Sequence, residues 1–303
     1  SRTRSIRSEM PNLLDIRRRI KSVKNTQQIT KAMKMVSAAK LKRAQDRVIT
    51  ARPFANKMME VLAELAARTG ENFHHPLLDA RGDEAYLVVL ITADKGLCGA
   101  FNTNLIKAAQ GFIRDNPGKK IEILAVGRKG RDFFRRRGAT LAGEYIGLTG
   151  KGRVEFSEAM EVARDVIKRF TENEDIDKAF IIYNEFKSVL QQRVVIEQLL
   201  PVSRTTTEAE ETTNQPLTLV DYIYEQPPAE IFSRLLPRLI ETQVFRALLE
   251  SVASEQGARM TAMDSASKNA SELIDSLTLN MNRVRQAAIT NEIIEVVSGA
   301  AAL

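Results

Sequence analysis

The fold of this chain is decided by residues 249–288, which read LESVASEQGARMTAMDSASKNASELIDSLTLNMNRVRQAA. They lie within a longer segment, residues 227–303, in which no proline follows Pro237 and only Gly257 and Gly299 interrupt the helix formers. At a rise of about 1.5 Å per residue, a helix of this length is longer than a single globular core is wide. The segment therefore predicts one very long helix that continues beyond any one core.

A narrow seam runs along this segment in alternating steps of four and three residues, the spacing of a left-handed coiled coil. The seam contains the polar Gln256 and Ser267, so it fits one partner helix and leaves the other faces to solvent or to other proteins. The alternative is an ordinary domain helix with one apolar face, and the length of the segment argues against it. The seam consists of Leu249, Ala253, Gln256, Met260, Met263, Ser267, Ala270, Ile274, Leu277, Met281, Val284 and Ala288.

The segment from Asn12 to Arg68 predicts a second long helix, with Asn12 or Asp15 as its cap. Its apolar positions change phase several times, which is typical of stutters in a coiled coil. Because each of the two stripes is too narrow to be buried alone, we expect the chain start and the chain end to pair antiparallel. The apolar positions, in successive phases, are Leu13, Ile16, Ile20 and Val23, then Ile29, Met33 and Val36, then Leu41, Ala44 and Val48, and finally Phe54, Met58, Leu62 and Leu65.

Residues 84–200 change to an alternation of strands and helices. Tyr86 to Ile91 is a continuous apolar run, as in a strand that is buried on both faces. The alternation that follows predicts an α/β unit with a largely parallel sheet, and the last strand, which no crossover helix precedes, predicts an antiparallel addition. The further strands are expected at 121–126, 140–146, 179–183 and 189–200, and the helices at 102–114, 129–137 and 157–170.

The predicted fold class is therefore mixed: a long antiparallel coiled coil of the N- and C-terminal helices plus a central Rossmann-like α/β domain. Residues 203–215 are polar and loop-like, and 217–225 alternate like an extended segment. The expected division is residues 1–10 as an N-terminal appendage, 11–69 as the N-terminal coiled-coil helix, 70–83 as a linker, 84–224 as the central domain and 225–303 as the C-terminal coiled-coil helix.

The net charge of +7 is concentrated near the chain start, where residues 1–70 hold 17 Lys and Arg against 5 Asp and Glu. Such a segment suits nucleic acid, anionic lipid or an acidic protein surface. No aromatic residue precedes Phe54 within the predicted helix, which disfavours base stacking. A basic coiled coil that meets acidic protein loops is the main interpretation, and a nucleic-acid-associated coiled coil remains the alternative.

The α/β unit raises the possibility of an enzyme or a dinucleotide site, the third interpretation. The fingerprint G-x-G-x-x-G is absent after its first strand, where the loop carries only Gly96 and Gly99. After the second strand the chain offers only the pair Gly127 and Gly130. Neither pair completes the fingerprint.

The tripeptide Gly150-Lys151-Gly152 resembles the end of a P-loop. Tyr145 stands where the first glycine of that motif is required, and Gly152 replaces the hydroxyl residue that would reach magnesium. We therefore expect no bound nucleotide and no cofactor.

The remaining reactive side chains are few. Cys98 lies near Lys95, yet the chain's only histidines, His74 and His75, fall in the predicted linker. Two adjacent histidines without a third ligand favour a loop over a metal site, and a lone cysteine in a turn favours a structural role and a reducing compartment. We expect no catalytic residue and no metal, and no apolar run approaches the roughly 18 residues of a membrane span.

Both ends of the chain carry long motifs. Residues 15–40, DIRRRIKSVKNTQQITKAMKMVSAAK, resemble the N-terminal signature of gamma subunits of F-type ATP synthases. Residues 285–302, RQAAITNEIIEVVSGAAA, resemble the C-terminal signature of that family. Residues 254–263, SEQGARMTAM, and 95–99, KGLCG, also fit, so the resemblance runs from Met10 to the end.

The resemblance implies a rotor shaft that has no active site of its own. In this family a coiled coil enters a ring of alternating alpha and beta subunits, and the α/β domain lies on the membrane side with the epsilon subunit and the c-subunit ring. Proton-driven rotation then changes which beta subunit holds nucleotide tightly. The implied setting is one copy per complex, peripheral at the cytoplasmic face of a bacterial inner membrane through its partners, with no nucleic acid.

The resemblance also implies which residues meet the partners. Those expected to contact beta are Met33, Gln256, Arg259, Arg285, Gln286 and Thr290. Those expected to meet epsilon and the c ring are Tyr222, Tyr224 and Glu225. The alternative for each is packing within the coil, above all for Met33 and for Gln256, which lies on the seam. Beyond Glu295 the chain has no charge, which suits rotation in an apolar sleeve or, alternatively, a frayed end.

Overall fold

The computed structural model describes residues 13–69, 73–172, 175–189, 191–202 and 226–301. The predicted appendage 1–10 and the predicted extended segment 217–225 lie outside these ranges. Within them, the helices and strands confirm the predicted mixed class. In chain order they are α1 Leu13–Thr69, β1 Ala85–Ile91, α2 Phe101–Asp115, β2 Lys120–Val126, α3 Arg128–Arg136, β3 Leu141–Tyr145, α4 Phe156–Glu172, β4 Lys178–Phe186, β5 Gln192–Leu200 and α5 Pro228–Ala301.

The chain divides into two compact units. The first comprises residues 13–36 and 262–301 of the described chain, and the second runs from residue 37 to residue 261. Both α1 and α5 contribute residues to each unit. The domain boundaries expected from the sequence stay a prediction. No helix among the described residues combines the length and the apolar character needed to cross a membrane.

In the first unit, α1 and α5 pair antiparallel, as predicted. Thr30 Oγ1 and Ser267 Oγ lie 2.7 Å apart and share a buried hydrogen bond. One turn further along α1, Lys34 forms an ion pair with Asp264, which lies earlier on α5. Residue numbers therefore rise along α1 while the numbers of their partners on α5 fall. The central contact of this part of the seam is a pair of hydroxyl groups.

The phase shift predicted at Ile29 is wrong. Ile29 and Val36 are 59% and 55% exposed, whereas Gln27 is half-buried and Thr30 is buried. The stripe that faces α5 therefore continues from Val23 to Gln27 and Thr30 in steps of four and three. Polar residues fill these positions because their side chains bond to Ser267 or to the helix backbone. A pattern traced through apolar residues alone therefore followed the wrong face.

In the second unit, the five strands form one sheet in the order β3-β2-β1-β4-β5. The first four are parallel and β5 is antiparallel to β4, which confirms the prediction. Successive residues of β1 point to opposite faces of the sheet, and each face has its own hydrophobic core. Leu87 and Val89 pack with side chains of α4, α1 and α5, while Val88 and Leu90 pack with α2 and α3. The sheet is therefore the middle of three layers.

The far end of β4 is completed by the side chains of α5. The pairing of β4 with β1 ends at Ile182. Beyond it, Ser251 Oγ accepts a hydrogen bond from the Asn184 amide at 3.3 Å, and Ser254 Oγ donates to the Asn184 carbonyl at 3.1 Å. Glu250 accepts from the Phe186 amide at 2.9 Å. Because a buried backbone group without a partner is costly, these contacts hold α5 at one place on the sheet.

The ends of β1 and β2 approach so closely that two positions require glycine. Gly127 has a φ of +97°, and a Cβ there would lie 2.0 Å from the Thr92 carbonyl oxygen. A Cβ at Gly130 would lie 2.9 Å from Thr92 Oγ1, which accepts a hydrogen bond from the Gly130 amide at 2.9 Å. The glycine pair that invited a dinucleotide interpretation therefore serves helix–strand packing.

Replacing Gly127 by alanine should be far more harmful than the same change at Gly118. Gly118 also has a positive φ of +85°, but nothing lies within 4 Å of its added Cβ. We expect Gly118→Ala to lower the free energy of unfolding by about 1–2 kcal/mol and Gly127→Ala by more than about 3 kcal/mol. Urea unfolding followed by circular dichroism measures both, and equal losses would contradict the steric account.

A second prediction concerns pH and the start of β1. Asp177 accepts hydrogen bonds from the amides of Glu84 and Ala85 at 2.7 and 2.9 Å, and these bonds lower the pKa of its carboxyl. A lowered folded-state pKa means that the stabilisation is complete above the unfolded pKa of about 3.9 and is lost as the pH falls below it. We expect Asp177→Asn to lower Tm by about 2–4 °C at pH 7. The difference from wild type should shrink below about pH 4, and a difference independent of pH would refute this role.

Candidate partner-binding surfaces

Three of the residues implied to meet the beta subunit lie together on α5 in the first unit. Arg285, Gln286 and Thr290 are all exposed. Arg285 and Gln286 are consecutive, and Thr290 lies one turn beyond Gln286, whose backbone carbonyl accepts its hydroxyl proton at 2.9 Å. The geometry of the helix therefore gathers a guanidinium, an amide and a hydroxyl within about one and a half turns. These groups are available to hydrogen-bond a polar loop of another protein.

The end of α5 exposes more apolar surface than the sequence pattern predicted. All residues from Ile289 to Ala300 are exposed. The register set by Thr30 and Ser267 brings Leu13 level with about Val284, so this end extends past the described start of α1. Exposed apolar clusters of this kind mark surfaces that another protein covers. In the sequence, such residues can be recognised as apolar side chains that do not lie on the heptad seam. The large ones are Ile289, Ile293, Ile294, Val296 and Val297, which are 48–71% exposed.

On α1, the apolar residues that were predicted to lie on the seam at positions 29–36 form a separate stripe. Ile29, Met33 and Val36 follow each other in steps of four and three residues, so they share one face of the helix. Met33 is half-buried, whereas Ile29 and Val36 are exposed. Met33 therefore lies at the border between the seam and this outward stripe, and its contact with beta stays a prediction.

The exposed α1 surface in the first unit is also rich in basic residues. Residues 13–36 hold seven Lys and Arg against one Asp. Several of these cations form no ion pair with any residue that the structure describes, so their charge faces outward. Such a surface fits acidic loops on a partner. These cations are Arg17, Arg19, Lys21, Lys24 and Lys31.

Gln256 and Arg259, by contrast, are buried within the second unit. Gln256 is only 3% exposed. Arg259 Nη1 lies 2.7 Å from the buried Glu255 carboxylate, and Nη2 donates to the Gly96 carbonyl at 3.2 Å. Burial raises the pKa of the Glu255 carboxyl against the opposing charge of Arg259. These contacts favour packing within this chain, and the seam position of Gln256 was the sequence signal for it. Tyr222, Tyr224 and Glu225 lie outside the described residues.

The side chains considered for chemistry have structural surroundings. Cys98 is buried, burial raises the pKa of its thiol, and Asn102 Nδ2 donates to its sulfur at 3.1 Å. Lys151 of the P-loop-like tripeptide forms an ion pair with Glu158 at 2.8 Å. Within the described ranges, His, Cys, Asp and Glu side chains do not gather in a group of three that would hold a metal ion.

Comparison with solved structures finds the same fold in mitochondrial ATP synthases. The chain matches a chain in the central stalk and c-ring structure of the Tetrahymena thermophila mitochondrial ATP synthase with a TM-score of 0.57 and 28% identity, over 79% of this chain and 99% of the other. It also matches a chain of the Euglena gracilis mitochondrial ATP synthase with a TM-score of 0.65 and 20% identity, over 96% of this chain and 94% of the other. At 20% identity that second match speaks for the fold alone.

Sequence comparison is more specific. The profile of the ATP synthase family matches residues 12–303. The ATP synthase gamma chain of Solibacter usitatus is 54% identical over 97% of this chain and 99% of its own length. The gamma chain of Desulforamulus reducens is 51% identical over 97% of this chain and its full length. This chain therefore belongs to the ATP synthase family and, within it, to the gamma chains.

Proposed function

We propose that this chain is the non-catalytic central shaft of a bacterial F-type ATP synthase. It turns with the c-subunit ring, as one copy per complex, inside a ring of alternating alpha and beta subunits. Proton-driven rotation is thereby coupled to conformational change at the catalytic beta subunits. The observation that carries the proposal is full-length similarity to gamma chains, together with a first unit whose two helices pair antiparallel and expose apolar and basic surface.

The coupling follows from the lack of threefold symmetry in a single chain. In the first unit, residues 13–36 of α1 carry seven basic side chains against one acidic, while residues 262–301 of α5 carry three basic against five acidic. A beta subunit that meets the α1 face therefore meets a different electrostatic surface from one that meets the α5 face. A partner shifts an equilibrium only by its differential affinity for the two states. Each angle of the shaft thus biases three identical beta subunits differently, and the coupling is reciprocal.

We assign the exposed residues to direct contact with beta. Arg285, Gln286 and Thr290 suit a polar loop, and Met33 borders the basic surface that suits acidic side chains. Burial supports a different role for Gln256 and Arg259, which we propose pack within this chain. Arg259 would act by holding α5 against the loop that follows β1.

The same proposal covers the foot of the shaft. Tyr222, Tyr224 and Glu225 would meet the epsilon subunit and the c ring. The two tyrosines would belong to the central α/β domain expected at 84–224, and Glu225 would be the first residue of the C-terminal coiled-coil helix. The chain would then be held at the cytoplasmic face of the bacterial inner membrane only through its partners. No cofactor, metal or nucleic acid is required. The similarity to gamma chains does not favour the alternative of a nucleic-acid-associated coiled coil.

The contact with beta is tested by alanine at Arg285, with Arg283 as the matched control. Both arginines are exposed on the same helix, but they lie two residues apart and face different directions. We expect Arg285→Ala to lower coupled ATP synthesis in reconstituted vesicles by about fivefold or more, since arginine is a frequent hot spot in interfaces. Arg283→Ala should retain most of the activity, and equal effects of the two changes would count against the assignment.

Arg259→Ala should behave differently, because it leaves the buried Glu255 carboxylate without its cation. We expect a loss of about 3 kcal/mol or more in the free energy of unfolding, visible as a lower Tm of the isolated chain. Arg285→Ala should leave that Tm unchanged within about 1 °C, since it removes an exposed side chain. If Arg259→Ala impaired synthesis without any change in Tm, a direct contact with beta would be the better explanation.

A disulfide tests whether the two helices of the first unit turn as one body. Cysteines at positions 30 and 267 should bond on oxidation, because the hydroxyl oxygens that they replace lie 2.7 Å apart. A link within one rotor does not oppose rotation. We therefore expect the oxidised Thr30→Cys/Ser267→Cys enzyme to retain ATP synthesis, with bond formation verified by counting alkylated thiols.

The two single-cysteine variants, oxidised in the same way, serve as controls. Loss of synthesis on oxidation of the double variant, restored by reduction, would show that the helices must move against each other and would refute the shaft.

A further inference from the structure

The carboxyl edge of the sheet in the second unit is organised around one acidic side chain. Asp94 follows β1 and is buried. Its Oδ1 accepts hydrogen bonds from the amides of Arg128 and Gly147, each at 3.1 Å. Its Oδ2 accepts from the amides of Gly147 and Gly150, at 3.1 and 2.8 Å, and contacts Thr149 Oγ1 at 3.1 Å. The loops after β1, β2 and β3 therefore meet on a single carboxylate.

These partners are the kind that a phosphate has in a nucleotide-binding α/β fold. In open parallel sheets, ligands bind outside the carboxyl ends of the strands, and anions lie against the first amides of a helix and of glycine-rich loops. Arg128 is the first residue of α3, and Gly147 and Gly150 supply amides from the loop after β3. We infer that Asp94 is a resident anion that fills the phosphate position of this sheet and closes it to nucleotides.

The carboxylate lies in close contact with the backbone of the loop after β3. A Cβ at Gly150 would lie 3.0 Å from Asp94 Oδ2, so the glycine lets the carboxylate reach the loop backbone. The amide of Gly130, another donor at the same edge, is already bonded to Thr92 Oγ1 at 2.9 Å. Side chains of the loop after β1 thus satisfy four amides at this edge, those of Arg128, Gly130, Gly147 and Gly150.

The same loop is also held to α5. Arg259 donates from Nη2 to the Gly96 carbonyl, two residues after Asp94, at 3.2 Å. The resident anion therefore fixes the loop on one side while the helix holds it on the other. This gives the sheet of the second unit a mechanical role where related folds have a ligand site, and it does not depend on the proposed contacts with beta.

The inference is tested by removing the carboxylate and supplying an anion. Asp94→Ala vacates the position and leaves the amides of Arg128, Gly147 and Gly150 without the acceptor that Asp94 provides. We expect a lower Tm in chloride buffer and a recovery of about 3 °C or more when 50 mM inorganic phosphate replaces chloride at equal ionic strength. The full chain is used throughout.

Asp94→Asn is the matched control. It fills the same space, so no anion can enter, but its amide group faces backbone N–H donors and should lower Tm as well. Phosphate stabilises many proteins weakly by exclusion from their surface. Wild type and Asp94→Asn measure that general effect, and we expect a rise of less than about 1 °C in both.

Asp94→Ser repeats the test with a smaller loss of stability, since its hydroxyl remains an acceptor. A phosphate response in Asp94→Ala or Asp94→Ser that exceeds those of wild type and Asp94→Asn supports the inference. Equal responses in all four proteins would overturn it. Failure of both the alanine and the serine variant to fold even in phosphate would also overturn it, because the anion would then not replace the carboxylate.

Discussion

The hydrogen bond between Thr30 and Ser267 shows the constraint on which the first unit depends. Two helices that meet through hydroxyl groups bury little apolar surface at that level, and the buried polar groups must find one another. Such a polar contact specifies a register and an antiparallel direction more than it adds stability. Because Gln27 and Thr30 occupy the seam, Ile29 and Val36 face outward. The apolar surface that a partner would cover therefore follows from the residues that pair the two helices.

The second unit shows how a ligand-binding architecture becomes a structural one. Its strand order and its parallel core are those of doubly wound sheets. The chain's own Asp94 and Thr92 satisfy amides at the carboxyl edge, and α5 completes the end of β4 through Ser251 and Ser254. Backbone amides that would bind a ligand in other proteins thereby form hydrogen bonds within this chain. This favours the transmission of torque, because ligand-binding loops that open and close have low local stability and deform under load.

Burial separates two kinds of residue that the family resemblance had placed together. Arg285 is exposed, so its removal changes a surface. Arg259 neutralises a buried carboxylate and bonds to a loop carbonyl, so its removal changes the unit's stability. The two arginines lie on one helix, only 26 positions apart. The two arginines differ in the residues that surround them. The role of Arg259 is therefore tested by the stability of the isolated chain, and the role of Arg285 by coupled ATP synthesis.

The sequence by itself determined the two long helices, the alternation of strands and helices, the direction of the strands and the family, because helical periodicity, apolar runs and long motifs are local properties of the chain. The outward position of Ile29, the burial of Arg259 and the role of Asp94 were decided only by the tertiary structure. Each of these depends on which polar group finds a partner across a distance in sequence: Thr30 on Ser267, Arg259 on Gly96, Asp94 on Gly147. A hydroxyl, a guanidinium or a carboxylate carries no mark of its partner in the sequence, since its hydrogen bonds are made only when remote segments fold against each other.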